Sequence, residues 1–252
     1  MVEYQGKRST LVGTMHAEVD VSSLSPAIFD ELSRARVLIT EADVRPAALS
    51  SADLLEAVQL EGAQSVEDLV APEDWQHIRA AAPSVDPAIL ARMQPWFTEG
   101  QVVLARLPHD IEPVDAGLVA RAETGGVALA FFETWQEQVA ALNGLGVEDG
   151  LAVLLPTARD PDAAVAAHLD WADAYQEGDV EAMSGLAFDR AAVEARPAYY
   201  EQIVFRHEGW LARVEDELRQ GDAVIAVGFM HLLTERGLPA QLASRGFAVS
   251  QR

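Results

Sequence analysis

A chain of 252 residues, half of them hydrophobic, can bury a sizeable core as one large domain or two small ones. Forty acidic residues against 18 basic ones give a formal charge of −22. Nucleic acid and anionic membrane surfaces, which call for clustered Lys and Arg, are therefore poor partners. With no cysteine, disulfides, thiolate metal sites and cysteine nucleophiles are excluded, and a metal would have to be held by His, Asp and Glu.

No apolar run reaches the roughly 18 residues of a membrane span. The N-terminus, "MVEYQGKRSTLVGTMH", lacks the apolar stretch of a signal peptide. The expectation is a soluble chain without a membrane span, cytoplasmic or exported after loss of a leader.

In chain order, "RSTLVG" reads as a strand, and "SPAIFDELSRA" as a helix with Ser25 as N-cap and Pro26 in first position. "RVLITEAD" is a second strand, its unbroken apolar run typical of burial on both faces of a parallel sheet. Residues 47–107 are mostly helical, with breaks near Gly62, Pro72, Pro83 and Pro95. "DAGLVARAE" is helical, Gly125-Gly126 stops it, "VALAFFET" is a third buried strand, and "WQEQVAALNGL" resumes a helix. Residues 147–220 form a helical insert with a turn near Gly178-Asp179. Its last helix, from about Ala198 to Gln220, places Ile203, His207, Leu211, Val214 and Leu218 on one face. "DAVIAVG" is a fourth strand, "HLLTERGLPAQLASR" is helical, and "FAVSQ" is a short final strand. The fold expected is α/β: a central, mostly parallel or mixed sheet flanked by helices, in a single domain over 1–252 with a large helical insertion at about 147–220.

Four of the apolar runs end in a group able to ligate metal or move a proton: His16, Glu41, Glu133 and His231. In a largely parallel sheet, ligands bind beyond the carboxyl ends of the strands, so these side chains are expected to converge at one edge. Both histidines close a Gly-x-x-His tetrapeptide, Gly13 to His16 and Gly228 to His231. The glycines would let the chain leave the strand in a conformation costly for other residues, or let another backbone approach closely. Two imidazoles with one or two carboxylates suit Zn²⁺, Mn²⁺ or Co²⁺. Glu41 and Glu133 equally suit the start of a helix that follows a strand. Of the other histidines, His77 and His168 read as structural, His109 lies in a loop, and His207 is expected to pack inward. Arg206, beside Trp210, is placed to reach an anionic group at the sheet edge. There is no G-x-S-x-G, P-loop, G-x-G-x-x-G or H-E-x-x-H pattern.

Paired Gly-x-x-His motifs enclosing the chain, with a strand-end Glu after the first, resemble the TraB/PrgY/GumN family, related to the Tiki metalloproteases. The resemblance runs from "STLVGTMHAEVD" through "ELSRARVLITEAD" and "EPVDAGLVARAETGGVALAFFETWQEQVAAL" to the closing block that begins "YYEQIVFRHEGW". Two departures stand out. Arg206-His207 occupies a place where the family commonly has Arg-Asn, and Phe229-Met230 is bulkier than the common Ala-Gly. The resemblance implies a Tiki-like α/β fold and, for Tiki members, metal-dependent peptide cleavage, with His16, Glu41 and His231 at the motif positions.

The leading expectation is thus a metal-dependent hydrolase acting on a peptide or small-molecule substrate. A divalent ion (Mn, Co or Zn) would be held by His16 and His231, with Glu41 or Glu133 as a further ligand and the other carboxylate as general base. Arg206 would stabilise an oxyanion or orient an acidic group. Two alternatives stand beside it: a non-catalytic protein that sequesters a peptide or small ligand, and a metal-independent hydrolase using His16 and Glu41 on an ester or lactone.

Overall fold

The computed structural model describes residues 1–251 other than 44 and 46; residue 252, the last of the expected domain, lies outside the described residues. Six strands form one mixed sheet: β1 (Val2–Tyr4), β2 (Lys7–Thr14), β3 (Val37–Thr40), β4 (Ala128–Phe131), β5 (Ala223–Gly228) and β6 (Ala248–Val249). Their spatial order is β4-β3-β5-β2-β1-β6. The four strands read from the sequence as β2, β3, β4 and β5 are mutually parallel. β1 and β6 add an antiparallel margin.

β1 has no counterpart among the expected strands. It joins β2 through Gln5-Gly6, both at positive φ (48° and 79°), the two-residue geometry that suits the twist of a hairpin. β3 and β5 are buried along almost their whole length, as their apolar runs require. "VALAFFET" differs from expectation: β4 is the edge strand, paired only to β3, and its residues are half-buried or exposed.

The two longest helical readings are also interrupted. Between Ala198 and Gln220 the chain makes a π turn (Tyr200–Val204) and a 3₁₀ turn (Arg206–Trp210) before the α-helix Leu211–Gln220 begins. The cause is local. The carbonyls of Ile203 and Val204 are turned to side chains, Ile203 O accepting from Arg206 Nη1 and Val204 O facing two imidazole nitrogens. The buried face nonetheless runs through Ile203, His207, Leu211, Val214 and Leu218 as read from the spacing. "HLLTERGLPAQLASR" divides in the same way, into a 3₁₀ turn at Phe229–Leu232 and a helix at Leu238–Ser244, with Thr234 at φ 67° between them.

The chain falls into two compact units. The first, Met1–Arg45 with Asp110–Thr134 and Trp171–Arg252, holds the whole sheet. Its two apolar clusters centre on Leu38, Leu118, Val224 and Ala226, and on Ile39, Val214, Ile225 and Leu238. Alternate residues of β3 and β5 supply opposite clusters, as expected for strands buried on both faces. The second unit, Pro46–His109 with Trp135–Asp170, is helical and packs around Ile78, Leu90, Val102 and Leu154. Residues 147–220 are helical as read, the stretch to Asp170 belonging to the second unit and the rest to the first. Among the described residues no single helix is long and apolar enough to cross a membrane.

One glycine sets how closely the helix Val114–Gly125 approaches the turn at Val21–Ser23. A Cβ on Gly117 would lie 2.5, 2.6 and 2.8 Å from three carbons of the buried Val21 side chain. Gly117→Ala is expected to destabilise the protein, because overpacking costs about 1–3 kcal/mol while alanine returns only about 1 kcal/mol of helix propensity. Urea unfolding measures the loss, and Val21→Ala in the same chain should recover part of it. A stabilised Gly117→Ala would show that the approach is not tight.

Candidate functional site

All four strand-end residues follow parallel strands that finish together. Thr14 pairs with Gly228 and Thr40 with Phe131. The register continues past β3 and β4, where Phe132 N donates to Thr40 O and Glu133 N to Glu41 O. Glu41 and Glu133 therefore leave the sheet side by side. His16 follows β2 by two residues, and His231 lies on the 3₁₀ turn that leaves β5.

Each glycine of the paired tetrapeptides works by close approach, and neither has a positive φ. A Cβ on Gly13 would meet Phe229 Cα and Cβ at 3.2 Å and Leu232 Cδ1 at 3.3 Å. Gly13 therefore lets the second motif's turn lie on the first motif's strand. A Cβ on Gly228 would meet Glu41 Oε1 at 3.2 Å, His231 Cδ2 at 3.7 Å and His16 Nε2 at 3.9 Å. The space over Gly228 is a cradle walled by three of the expected ligands.

Glu41 is the central group. It is a carboxylate only 7% exposed, with Oε1 accepting from Gly228 N at 2.6 Å and Oε2 from Arg206 Nη2 at 2.6 Å. Oε1 also faces His231 Nε2 at 3.4 Å. Burial alone pushes the Glu41 carboxyl up. The hydrogen bond and charge of His231, with the charges of Arg206 and His16, outweigh burial and hold it well below the usual carboxylate range. Arg206 also directs Nε at both oxygens of Glu133, at 3.1 and 3.3 Å, and Trp210 Nε1 donates to Glu133 Oε1 at 2.9 Å. All three guanidinium nitrogens are thereby engaged, two with carboxylates and one with Ile203 O.

The imidazoles are oriented through their Nδ1 atoms. His231 Nδ1 lies 2.6 Å from Val204 O, so Nδ1 carries a hydrogen, and Nε2 is turned toward Glu41. The ring stands between Trp210 and His207, with centroid distances of 5.1 and 5.2 Å. His207 is fully buried, and burial lowers its pKa against the pull of the Arg236 and Val204 carbonyls. His16 Nδ1 lies 2.8 Å from Asp115 Oδ2, which turns Nε2 toward Gly228. Asp115 raises the His16 imidazole well above its ordinary 6.5, burial opposes this, and Glu41 and Glu18 add to the rise. The side chain is 70% exposed, so water screens part of these interactions. Tyr175 OH donates to Gly13 O at 2.6 Å, and burial followed by the charge of Asp115 raises its hydroxyl pKa.

Nitrogen and oxygen ligands about 2.1 Å from a tetrahedral ion stand roughly 3.4 Å apart, the separation found between His231 Nε2 and Glu41 Oε1. Both imidazoles have the Nδ1 partner, carbonyl or carboxylate, that metal-ligating histidines characteristically have. One imidazole–carboxylate pair therefore has the spacing of two ligands. Among the described residues, no group of three or more His, Asp or Glu side chains is arranged so that it could hold a metal ion. Glu133 faces Arg206 and Trp210, which sets it apart from the two imidazoles in its partners.

His77, His109 and His168 belong to the helical unit. Asp115 and Trp210 were not assigned a part in the site from the sequence, nor were the carbonyl of Val204 and the hydroxyl of Tyr175. Asp115 lies within "EPVDAGL", but nothing in its spacing from His16, 99 residues away, announces the contact.

A family model described as the TraB/PrgY/gumN family matches residues 1–251. No curated protein and no solved structure matched the sequence.

The Asp115–His16 pair carries a definite pH signature. A raised histidine pKa contributes stability that is complete below the unfolded value of about 6.5 and fades as pH rises through the folded value. Asp115→Asn should therefore bring the His16 titration, followed by NMR, down toward its ordinary range and remove that alkaline loss. A His16 that titrates the same in both proteins would show that Asp115 does not control it.

Proposed function

The chain belongs to the TraB/PrgY/gumN family, and from that premise we propose that it is a metal-dependent hydrolase, most naturally of peptide bonds. The observation that carries the reading is the cradle over Gly228, walled by His16 Nε2, Glu41 Oε1 and the His231 ring. His16, Glu41 and His231 would hold the ion, taken from Mn, Co or Zn. Bound there, it would supply Lewis acidity toward a scissile carbonyl and lower the pKa of water.

The chain's own groups divide the remaining work. Glu41 takes the ligand's part, because its Oε1 faces His231 Nε2 and borders the cradle. Glu133 is then the carboxylate that accepts a proton from the attacking water and returns it to the leaving group. Arg206 holds the two carboxylates at a fixed separation, and Trp210 fixes the rotation of Glu133. Since its nitrogens are already engaged, Arg206 acts by positioning in this state; stabilising an oxyanion would require it to release one of them. Asp115 and Val204 O hold the two imidazoles with Nε2 inward.

His16→Ala and His231→Ala are each expected to abolish binding of Mn²⁺, Co²⁺ and Zn²⁺ in titration calorimetry, with circular dichroism unchanged. Asp115→Asn should weaken binding by about 10–100-fold, the usual effect of losing a histidine's outer partner. Affinity in the parent protein should fall as pH drops through the raised range of His16, above its ordinary 6.5, because ligation needs neutral imidazole. The protein is purified without a histidine tag and assayed on a peptide library with and without chelator. Turnover lost to chelator supports the reading. Ligand retained without turnover indicates a sequestering protein, and turnover that resists chelator indicates a metal-independent hydrolase; either result overturns it.

A further inference from the structure

Two buried side-chain oxygens have no hydrogen-bond partner among the described residues, the hydroxyls of Thr98 and Thr14. Thr98 sits on the helix Pro95–Leu104, where a threonine hydroxyl can turn back to the carbonyl four residues earlier. Thr14 ends β2 and is 1% exposed. Strand side chains stand roughly perpendicular to the sheet while its carbonyls lie along the ladders, so that route is not open to it. Thr40, at the end of β3, sends its hydroxyl beyond the strand to Ala42 O at 3.3 Å. Thr14 has no such outlet among the described residues. A buried hydroxyl left unmet is unfavourable, and valine would suit a strand end of the same shape without that cost.

The register shows what the hydroxyl stands beside. Thr14 pairs with Gly228 across β2 and β5. Val12, Val224 and Ala226 belong to one apolar cluster, so alternation puts Thr14 and Gly228 on that same face of the sheet. Paired strands lie about 4.8 Å apart, so the Thr14 side chain rises next to the space that a Gly228 Cβ would enter. That space is the cradle bordered by Glu41 Oε1, His16 Nε2 and the His231 ring. The hydroxyl has one hydrogen to give and finds no acceptor for it among the described residues. Its natural partner is an oxygen lodged in the cradle, where Glu41 and His16 supply the further polar contacts that a bound water requires.

We infer that Thr14 is a further ligand-contacting residue of the site: its hydroxyl donates a hydrogen bond to an oxygen atom over Gly228, a water in the resting protein and the carbonyl oxygen of the substrate during hydrolysis. The second half rests on the hydrolase reading above, and the first on the geometry alone. The assignment fills a role that Arg206, with its nitrogens engaged, leaves open. When water adds to the scissile carbon, the carbon–oxygen π pair moves onto the carbonyl oxygen, and the Thr14 O–H meets the charge that forms there. The pair returns as the carbon–nitrogen bond breaks, and the amine leaves with the proton held by Glu133.

The test compares Thr14→Val and Thr14→Ser with the parent protein, with circular dichroism as the folding control. Crystals of the metal-free parent that resolve ordered water are expected to show an oxygen within about 3.2 Å of Thr14 Oγ1, shared with Glu41 or His16. Valine should displace it and serine should keep it. A Thr14 hydroxyl bonded to a protein carbonyl, or a cradle water undisturbed by valine, would overturn the inference. On a library peptide that the parent cleaves, Thr14→Val should lose about 10²–10³-fold in kcat with KM changed far less, the usual cost of one oxyanion donor. Thr14→Ser should recover most of that loss. Unchanged kcat in a folded valine protein would equally sink the inference. Should no peptide be cleaved, the hydrolase reading fails, and the crystals still decide whether Thr14 holds an oxygen in the cradle. Should the valine protein not fold, the parent crystals and the serine protein decide. Calorimetry with Mn²⁺ separates the readings, because a cradle oxygen on Thr14 without ion binding ends the metal reading and leaves this one standing.

Discussion

A carboxylate buried at the end of a parallel sheet sets the terms for everything around it. Glu41 cannot remain ionised there without partners, because an unpaired buried charge costs several kcal/mol. The chain supplies a backbone N–H from Gly228, a guanidinium nitrogen from Arg206 and an imidazole from His231. Those three partners come from the last quarter of the sequence, at least 165 positions beyond Glu41. The site is therefore assembled by the strand order itself. β5 inserts between β2 and β3, and the Glu41 contacts form only once it is in place. Such long-range closure is slow and cooperative, so fold and site are expected to appear together.

The two Gly-x-x-His tetrapeptides have the same sequence pattern but unequal tasks. Gly13 accommodates the turn that carries the second histidine, and Gly228 leaves open the space that both imidazoles border. The histidines differ as sharply. His16 is exposed and tied to a carboxylate, whereas His231 is buried and tied to a carbonyl. One ring thus meets solvent while the other is held as part of the core. The contrast suits a site whose mouth opens on the His16 side.

Much of this was legible in the sequence because burial on both faces leaves an unmistakable trace. "VLIT" and "AVIAVG" read as strands buried on both faces, and the polar residue that follows each run marked the sheet edge. The stripe from Ile203 to Leu218 likewise gave the buried face and put His207 inside. What did not show was set by contacts between distant segments. β4 has the same apolar run as a buried strand and lies at the edge, because composition does not record how many neighbours a strand acquires. The π and 3₁₀ turns around Val204 arise from carbonyls diverted to side chains, and helical periodicity cannot register that. Asp115 looked like any first-turn helix acid, and only the fold brings it to His16. The hairpin at Gln5-Gly6 was within reach, since a two-residue turn containing glycine between β-prone residues is a recognised signal.

That Glu41 and Arg206 form one electrostatic unit is best measured by a double-mutant cycle of unfolding free energies on Glu41→Gln, Arg206→Gln and the pair, at neutral pH and without added metal. Removing Arg206 strips the guanidinium from both Glu41 and Glu133, and removing Glu41 leaves Arg206 with Glu133 alone, so each single loss is expected to cost up to about 3–5 kcal/mol. Removing both should cost markedly less than the sum, giving a coupling energy of at least about 1–2 kcal/mol. Additive losses would contradict the account, because they would mean that the two charges do not depend on each other and that the site is organised by something else.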